Sequence, residues 1–209
     1  LENREVLSQF GRALRELSVD SIYAYSPQAK GRIERLFRTF QDRVIKEMPE
    51  RGDDEVVKRL GEYFEASECA ALENMVETLE SDGDRRYVFG YFGGGKYLLF
   101  RAKSQAEVIG LVKDARTPEW KELDVSILHS AVFKALLGVS DAEGNVTYVR
   151  DADKGRDLVK SGSHKAAFFL RPTRVDKVRA VAEVGEKMPQ KSTYCYPKLL
   201  SGLVINKLR

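Results

Sequence analysis

Cysteine and histidine are scarce in this sequence of 209 residues, which contains two of each. Cys69 and Cys195 lie far apart, and no Cys-x-x-Cys motif brings metal-ligating side chains together. The sequence therefore predicts neither a zinc site nor a disulfide framework. A reducing cytoplasm is the expected location.

Long apolar runs are also absent from the sequence. No stretch approaches the roughly 20 apolar residues that a membrane-spanning helix needs, and no signal-peptide pattern opens the chain. With 43% hydrophobic and 32% charged residues, the composition is typical of a globular protein. We expect no membrane partner.

The net charge of +3 is unevenly distributed along the chain. Residues 164–209 carry 10 basic and 3 acidic side chains, whereas residues 51–163 carry 16 basic and 21 acidic ones. A basic C-terminal region favours an anionic partner. The alternative is a basic edge that balances the acidic middle of the same domain.

The segment 188–198 lies in this basic region and is bracketed by Pro189 and Pro197. Between the prolines, lysines supply positive charge and hydroxyl groups supply short hydrogen bonds, a combination suited to phosphate. Tyrosine rings at alternate positions could stack on a nucleobase. We predict ligand contacts from Lys191, Ser192, Thr193 and Lys198, with Tyr194 and Tyr196 beside them. Equally compatible is a structural role in which the tyrosines pack and the lysines face water.

Hydrophobic periodicity after residue 53 predicts helices that alternate with strands. The predicted helices cover residues 55–63, 70–79, 104–115, 124–138, 153–160 and 174–184, and the strands cover 64–66, 87–92, 96–100, 146–149 and 166–170. Asp124 is the expected N-cap of its helix. This order is typical of an α/β or an α+β fold. We predict the α+β class, with helices packed on a mixed sheet.

Two local features invite a chemical interpretation. Gly93-Gly94-Gly95-Lys96 is reminiscent of a phosphate-binding loop, but no Ser or Thr follows the lysine and strands flank it, so a hairpin turn is predicted. His129 lies inside a predicted helix with no second histidine or cysteine near it. A packing role is expected for it rather than that of a base.

Residues 9–47 include the segment SPQAKGRIERLF and resemble the end of the catalytic core of insertion-sequence transposases of the retroviral-integrase type. The resemblance implies a helix–strand–helix remnant of a ribonuclease-H-like core. A helix is predicted over 6–17, a strand over 21–25 and a second helix over 32–48. Glu34 matches the last of the family's three metal-binding carboxylates, and Gln28, Lys30 and Arg32 match positions that DNA approaches. The family's two aspartates have no counterpart here, so Glu34 is alternatively a surface residue paired with Arg38.

From about residue 54 onward the chain resembles an uncharacterised prokaryotic family, domain of unknown function one thousand and fifteen, which is sometimes labelled ParB-like. The resemblance is carried by YVFGYFGGGKYLLFRAK at 87–103 and by residues 123–139 and 166–208. It corresponds to the C-terminal half of that family. The Gly-His-His-Arg motif of the family's N-terminal half is absent.

These resemblances predict two regions, a transposase-like fragment at 1–50 and a C-terminal domain at 51–209. No complete catalytic site is expected in this chain alone. The C-terminal domain is predicted to be half of a site for a nucleotide or phospho-ligand, with ATP or ADP and Mg²⁺ as cofactors of a complete parent protein. The alternatives are a DNA-binding remnant of a transposase and a vestigial structural product that self-associates through exposed apolar surface.

Overall fold

A computed structural model describes residues 42–48, 53–81, 87–139 and 145–193 of the chain. All of them belong to one compact unit, Leu36–Arg209. No helix in these ranges has both the length and the apolar character to cross a bilayer. The elements predicted before residue 42 lie outside the described residues. So do the candidate site residues Gln28, Lys30, Arg32, Glu34, Tyr194, Tyr196 and Lys198.

The described strands form one six-stranded sheet in the order β2–β4–β3–β6–β1–β5. Every pair is antiparallel. The α+β class is thus confirmed, and the sheet, expected to be mixed, is antiparallel throughout the described pairs. The strands are β1 (Asp42–Ile45), β2 (Phe64–Cys69), β3 (Val88–Gly93), β4 (Lys96–Ala102), β5 (Val146–Val149) and β6 (Ala166–Phe169).

Helices cover both faces of the sheet. In the described ranges they are α1 (Asp53–Leu60), α2 (Leu72–Ser81), α3 (Gln105–Gly110), α4 (Pro118–Lys121), α5 (Asp124–Ser126), a π-helix (Ile127–Leu137), α6 (Ala152–Lys160) and α7 (Val175–Glu183). Side chains of α1, α3, the π-helix and α7 belong to one core cluster, whereas α2 and α6 pack on the other. We call the two sides of the sheet the π-helix face and the α2–α6 face.

Alternation along the central strands divides their side chains between these two cores. In β6, Phe168 faces the π-helix side and Phe169 faces the α2–α6 side, and neither ring is exposed to solvent. Buried aromatic rings contribute most of the apolar area in such cores. The sheet is therefore buried on both faces along its centre, which explains why β3 is apolar throughout.

The β3–β4 hairpin is confirmed. Gly94 and Gly95 form its turn with φ of 55° and 78°, values that glycine adopts without a steric penalty. Phe89 pairs with Phe100 and Phe92 pairs with Tyr97 across the two strands. Cross-strand aromatic pairs of this kind stabilise the register.

Three sequence predictions about local structure are wrong. Residues 42–45 do not end a helix but form β1, since all four are buried and pair with β5, and residues 43–45 also pair with β6 on the other side. Asp124 does not cap its helix: Leu123 holds the N-cap position, and the Asp124 carboxylate pairs with Arg171 at 2.7 Å. The helix predicted over 104–115 ends at Gly110.

Candidate ligand-binding groove

The π-helix Ile127–Leu137 is the most unusual element of the described chain. Hydrogen bonds in a π-helix run from residue i to residue i+5, and such segments are rare and often lie at functional sites. Here the Gly138 N–H bonds back to the Phe133 carbonyl, and Gly138 ends the helix with φ of 65°. Most of its side chains are buried, so the widened helix is held by packing.

A groove of about 710 Å³ lies against this π-helix. Its volume is within the range of small-molecule sites. The π-helix, β5 and residues 187–190 all contribute to its walls. Rings and cations dominate its lining, notably Trp120, Phe133 and Tyr148 among the rings and Arg116, Lys134 and Lys187 among the cations.

Arg43 links the elements beside the groove, although only 1% of its surface is exposed. Its Nε donates to His129 Nε2 at 3.2 Å, and one terminal nitrogen donates to the Lys191 carbonyl at 3.0 Å. The guanidinium also lies 5.4 Å from the centre of the Tyr148 ring, a distance at which a cation and an aromatic face attract. One buried side chain on β1 therefore holds together the π-helix, β5 and the C-terminal segment.

His129 is fixed in the groove by this contact. The Arg43 Nε–H is a donor with no acceptor capacity, so His129 Nε2 accepts and the imidazole is neutral while the bond is made. The ring is nearly parallel to Tyr148, at 7° and 6.1 Å, and contacts Phe133 at 5.2 Å. The expected packing role of His129 is confirmed, and the residue also lines the groove.

The predicted phosphate-binding segment contacts the groove through residues 187–190, just before the predicted ligands. Lys191 is exposed and adopts φ of 54°, the left-handed region, and its carbonyl accepts from Arg43. Ser192 is buried, and its hydroxyl donates to the Pro189 carbonyl at 2.6 Å. Thr173 Oγ1 donates to the Ser192 carbonyl at 3.1 Å, and Thr193 is exposed. Ser192 thus stabilises the segment, and its role as a phosphate ligand remains a prediction.

Two buried serines of the helical wall line the groove. Ser126 is 1% exposed, and its hydroxyl has no hydrogen-bond partner among the described residues. A buried hydroxyl without a partner costs about 1–3 kcal/mol. Ser130 lies one position beyond His129 and is also buried. The polar groups of this wall are therefore not explained by packing alone.

Charge within the groove is mixed but mainly positive. Arg116 pairs with Glu186 at 2.9 Å and lies 5.7 Å from the centre of the Trp120 ring. Asp114 is the one acidic residue of the described lining. Lys134 and Lys187 make no ion pair with any described residue, which leaves two ammonium groups to attract an anion.

Sequence reasoning identified neither Arg43 nor the role of His129 in the groove. A signal for the groove was nevertheless present in the sequence. Ser126, His129 and Ser130 interrupt an otherwise apolar run at spacings of three and four residues, which places polar groups on one side of a helix. Arg43 carries no comparable local signal, because its partners are distant in sequence.

No group of three histidine, cysteine or acidic side chains in the described part of the chain is arranged to hold a metal ion.

No family model matches the chain. The N-terminal ~42 residues resemble y4bF of Sinorhizobium fredii, a protein named as a candidate transposase, with 57% identity over 42 residues. This match covers 20% of the chain and 9% of the relative. The transposase-like part of the predicted resemblance is thereby supported.

The structural neighbour is a free serine kinase mutant in complex with AMP, at 16% identity and a TM-score of 0.40. The match covers 88% of this chain and 63% of the kinase chain. A likeness of this degree carries no inference about the ligand of this chain.

Proposed function

We propose that residues 42–193 form a small-molecule binding module whose ligand is a nucleotide or another phosphate-bearing aromatic compound. The observation that carries this proposal is the groove beside the π-helix, whose lining combines three rings with three cations. Aromatic rings offer flat faces on which a base can stack, and lysine serves as a point-charge partner for phosphate. The groove contributes both types of contact within one volume.

Residues of the groove have separable roles in this proposal. Lys134 and Lys187 attract the phosphate groups, and Trp120 and Tyr148 border the flat part of the ligand. Arg43 is buried and acts as a positioning residue, because it holds His129, Tyr148 and the Lys191 carbonyl in one arrangement. Lys191 and Thr193 are exposed at the end of the same segment and extend the site toward a longer ligand.

The chain contains a single tryptophan, Trp120, so its fluorescence reports on the groove. We expect AMP, ADP or ATP to change this fluorescence and to raise the Tm. At a ligand concentration of 100 times Kd the stabilisation is about 2.7 kcal/mol, or about 5–10 °C in a chain of this size. A folded protein that shows neither change with millimolar nucleotide contradicts the proposal.

Charge-removing variants locate the site. Lys134→Ala and Lys187→Ala should each weaken nucleotide binding about 2–5-fold, as expected for partly solvated charge pairs. Lys113→Ala is the matched control, because Lys113 is exposed and lies outside the described lining. Lys191→Ala tests whether the predicted segment itself contributes. Calorimetry measures the affinity of each variant for the nucleotide. An equal loss of affinity in the control and in the groove variants would show that the protein attracts the nucleotide non-specifically.

A second candidate function is DNA binding by the transposase-like region, and the 57% identity to the Sinorhizobium fredii protein favours it. Gln28, Lys30 and Arg32 are the proposed DNA contacts, and Glu34 the remnant of a metal-binding carboxylate. The pairing of β1 within the sheet supports a boundary between the transposase-like region and the C-terminal domain that lies before Asp42, earlier than the predicted boundary at residue 50. A gel shift that is absent at low salt, or insensitive to salt, would count against this candidate.

The relation of the groove to a larger protein is also a proposal. In a full-length member of the ParB-like-labelled family, residues 188–198 would face the N-terminal half, and together they would complete a kinase-like or nucleotide-binding site.

A further inference from the structure

A second cavity, of about 390 Å³, lies at the tip of the β3–β4 hairpin, and we call it the hairpin cavity. Its walls come from the hairpin turn, the C-terminal end of α6 and the residues that lead into β6. The described lining consists of Phe92, Gly94, Gly95, Tyr97, Val159, Lys160, Gly162, His164 and Lys165. These elements are separate from those that form the groove beside the π-helix.

An aromatic pair forms the apolar part of the hairpin cavity. The rings of Phe92 and Tyr97 stack with their centres 4.5 Å apart and their planes 23° apart. Phe92 is buried, whereas Tyr97 is half-buried. A partly open ring on a packed partner is a fixed flat surface, and a flat ligand loses little freedom when it packs there.

Positive charge borders the apolar part of the cavity. Lys160 and Lys165 are exposed, and neither ammonium group has an ion-pair partner among the described residues. No carboxylate belongs to the described lining. The nearby Asp53 carboxylate accepts a hydrogen bond from the Tyr91 hydroxyl and forms no ion pair with Lys160 or Lys165. The cavity thus presents two unneutralised cations, unlike the groove, where Asp114 and Glu186 balance part of the charge.

The remaining walls of the hairpin cavity consist of a histidine held by hydrogen bonds and of glycine backbone. His164 is fixed at both ring nitrogens, by Ser163 Oγ at 3.0 Å and Thr147 Oγ1 at 2.9 Å. Burial, and then the charge of Lys46, lower the pKa of His164, so the ring is neutral at pH 7. Gly95 and Gly162 both have positive φ and no neighbouring atom within 4 Å of a Cβ. The positive φ of these two residues, rather than a lack of space, requires glycine at both positions. Because glycine has no side chain, the backbone there is open to a ligand.

We propose that the hairpin cavity binds a small organic oxyanion with a flat apolar body, such as an aryl phosphate or an aryl carboxylate. The body packs on Tyr97, and the oxyanion lies between Lys160 and Lys165. Both ammonium groups donate to an oxyanion without losing a partner within the described chain. This site is independent of the proposed nucleotide groove, because the two linings share no described residue.

The test uses the full chain and two probes, phenyl phosphate and benzoate, with inorganic phosphate as the third arm. Backbone amide resonances of Gly94, Gly95 and Gly162 are followed by NMR during each titration. We expect saturable shifts at these amides with at least one aryl probe, and at least about fivefold weaker binding of inorganic phosphate. The stronger aryl probe then distinguishes phosphate from carboxylate as the preferred anion.

A double variant, Lys160→Ala/Lys165→Ala, should weaken the aryl probe about tenfold, because two partly solvated charge contacts are lost. The matched control is Lys58→Ala/Lys154→Ala, which removes the same charge from exposed positions outside the cavity. Tyr97→Ala should weaken the aryl probes and leave inorganic phosphate unchanged. Absence of saturable shifts at the three glycines in the folded protein overturns the proposal. It is also overturned if the Lys58→Ala/Lys154→Ala control loses as much affinity for the aryl probe as Lys160→Ala/Lys165→Ala does.

Discussion

Both faces of the sheet carry a buried apolar core, but the two differ in how their buried polar groups are bonded. On the π-helix face, Arg43 is buried among partners that accept its hydrogen bonds, and the groove opens beside it. On the α2–α6 face, the core is apolar except for Asp42, whose two oxygens have no well-formed hydrogen bond. These residues are neighbours in β1 and point to opposite sides, since side chains alternate along a strand.

This difference separates a hydrogen-bonded polar site from a single buried carboxyl group that has no well-formed hydrogen bond. A buried polar group that is fully bonded fixes its surroundings, whereas an unbonded one mainly destabilises the fold. The π-helix face therefore combines stability with a binding surface, and the α2–α6 face contributes packing. The three changes below test that division, beginning with the largest expected loss of stability.

The first test compares Phe168→Ala with Phe169→Ala, which remove the same side chain from opposite faces of β6. Each should lower the free energy of unfolding by about 3–5 kcal/mol, and Phe168→Ala by the larger amount. Its ring contacts Phe133, Tyr91 and Phe89 at centre distances of 4.9, 5.2 and 5.9 Å. Urea unfolding measures both losses.

The same pair distinguishes the two faces by their effect on the groove. Phe133 lines the groove and packs on Phe168, so Phe168→Ala should alter Trp120 fluorescence and nucleotide binding. Phe169→Ala should leave both unchanged in the folded protein. If the alanine variants do not fold, Phe168→Leu and Phe169→Leu make the same comparison with a smaller loss of volume. Equal effects of the two substitutions on the groove would contradict the division between faces.

The second test concerns Asp42 on the α2–α6 face. Burial raises the pKa of Asp42 to about 8, and the Leu170 backbone amide and Arg43 offset this only in part, while Asp151 adds to it. The unfolded chain loses this proton near pH 4. Between about pH 4 and 8 the folded state therefore binds more protons, and the carboxyl destabilises it increasingly as pH rises.

Asp42→Asn removes this titration. The stability of the variant relative to the original chain should increase with pH across that window, by up to about 1.4 kcal/mol per pH unit, and level off above about pH 8. Urea unfolding at several pH values measures the difference. Asp54→Asn, at an exposed position on α1, is the control. A difference that does not change with pH would show that Asp42 is ionised in the folded protein.

The third test probes the close packing of the α2–α6 face. A Cβ added at Gly90 would lie 2.5 Å from Met75 Sδ, closer than real contacts allow. Gly90→Ala should therefore destabilise the fold by about 1–3 kcal/mol, as overpacking does. Gly110→Ala meets no atom within 4 Å and should cause no loss. Thermal unfolding compares the two, and similar Tm values would mean that Met75 moves aside readily.

Elements with local signals could be predicted from the sequence. The β3–β4 hairpin carries its glycines and aromatic residues within 17 positions, 87–103, and it is confirmed. Strand β5 and the helices near 53–60 and 175–183 are likewise confirmed within a few residues. In each of them, periodicity and turn residues specify the structure without help from distant parts of the chain.

Features that depend on distant partners could not be predicted. Val44 and Ile45 fit a helical spacing with Phe40, so the sequence favoured a helix where pairing with β5 and β6 imposes a strand. Arg43 and His129 are 86 positions apart, and only the sheet brings them together. Ligand contacts were predicted for Lys191, Ser192, Thr193, Tyr194, Tyr196 and Lys198, and these remain predictions. The described groove is lined by the preceding residues 187–190, and the Ser192 hydroxyl donates to the Pro189 carbonyl.

The position of β1 in the sheet has a consequence for the order in which the strands pair as the chain is synthesised. Strand β1 precedes all other described elements, yet it lies between β5 and β6, with Arg43 opposite both Tyr148 and Phe168. During synthesis β2, β3 and β4 can pair as they emerge, whereas β1 has no partner strand until β5, residues 146–149, has been made. Its second neighbour, β6, follows only at residues 166–169. Pairing between such distant segments forms slowly, so β1 is expected to join the sheet after the β2–β4–β3 strands have paired.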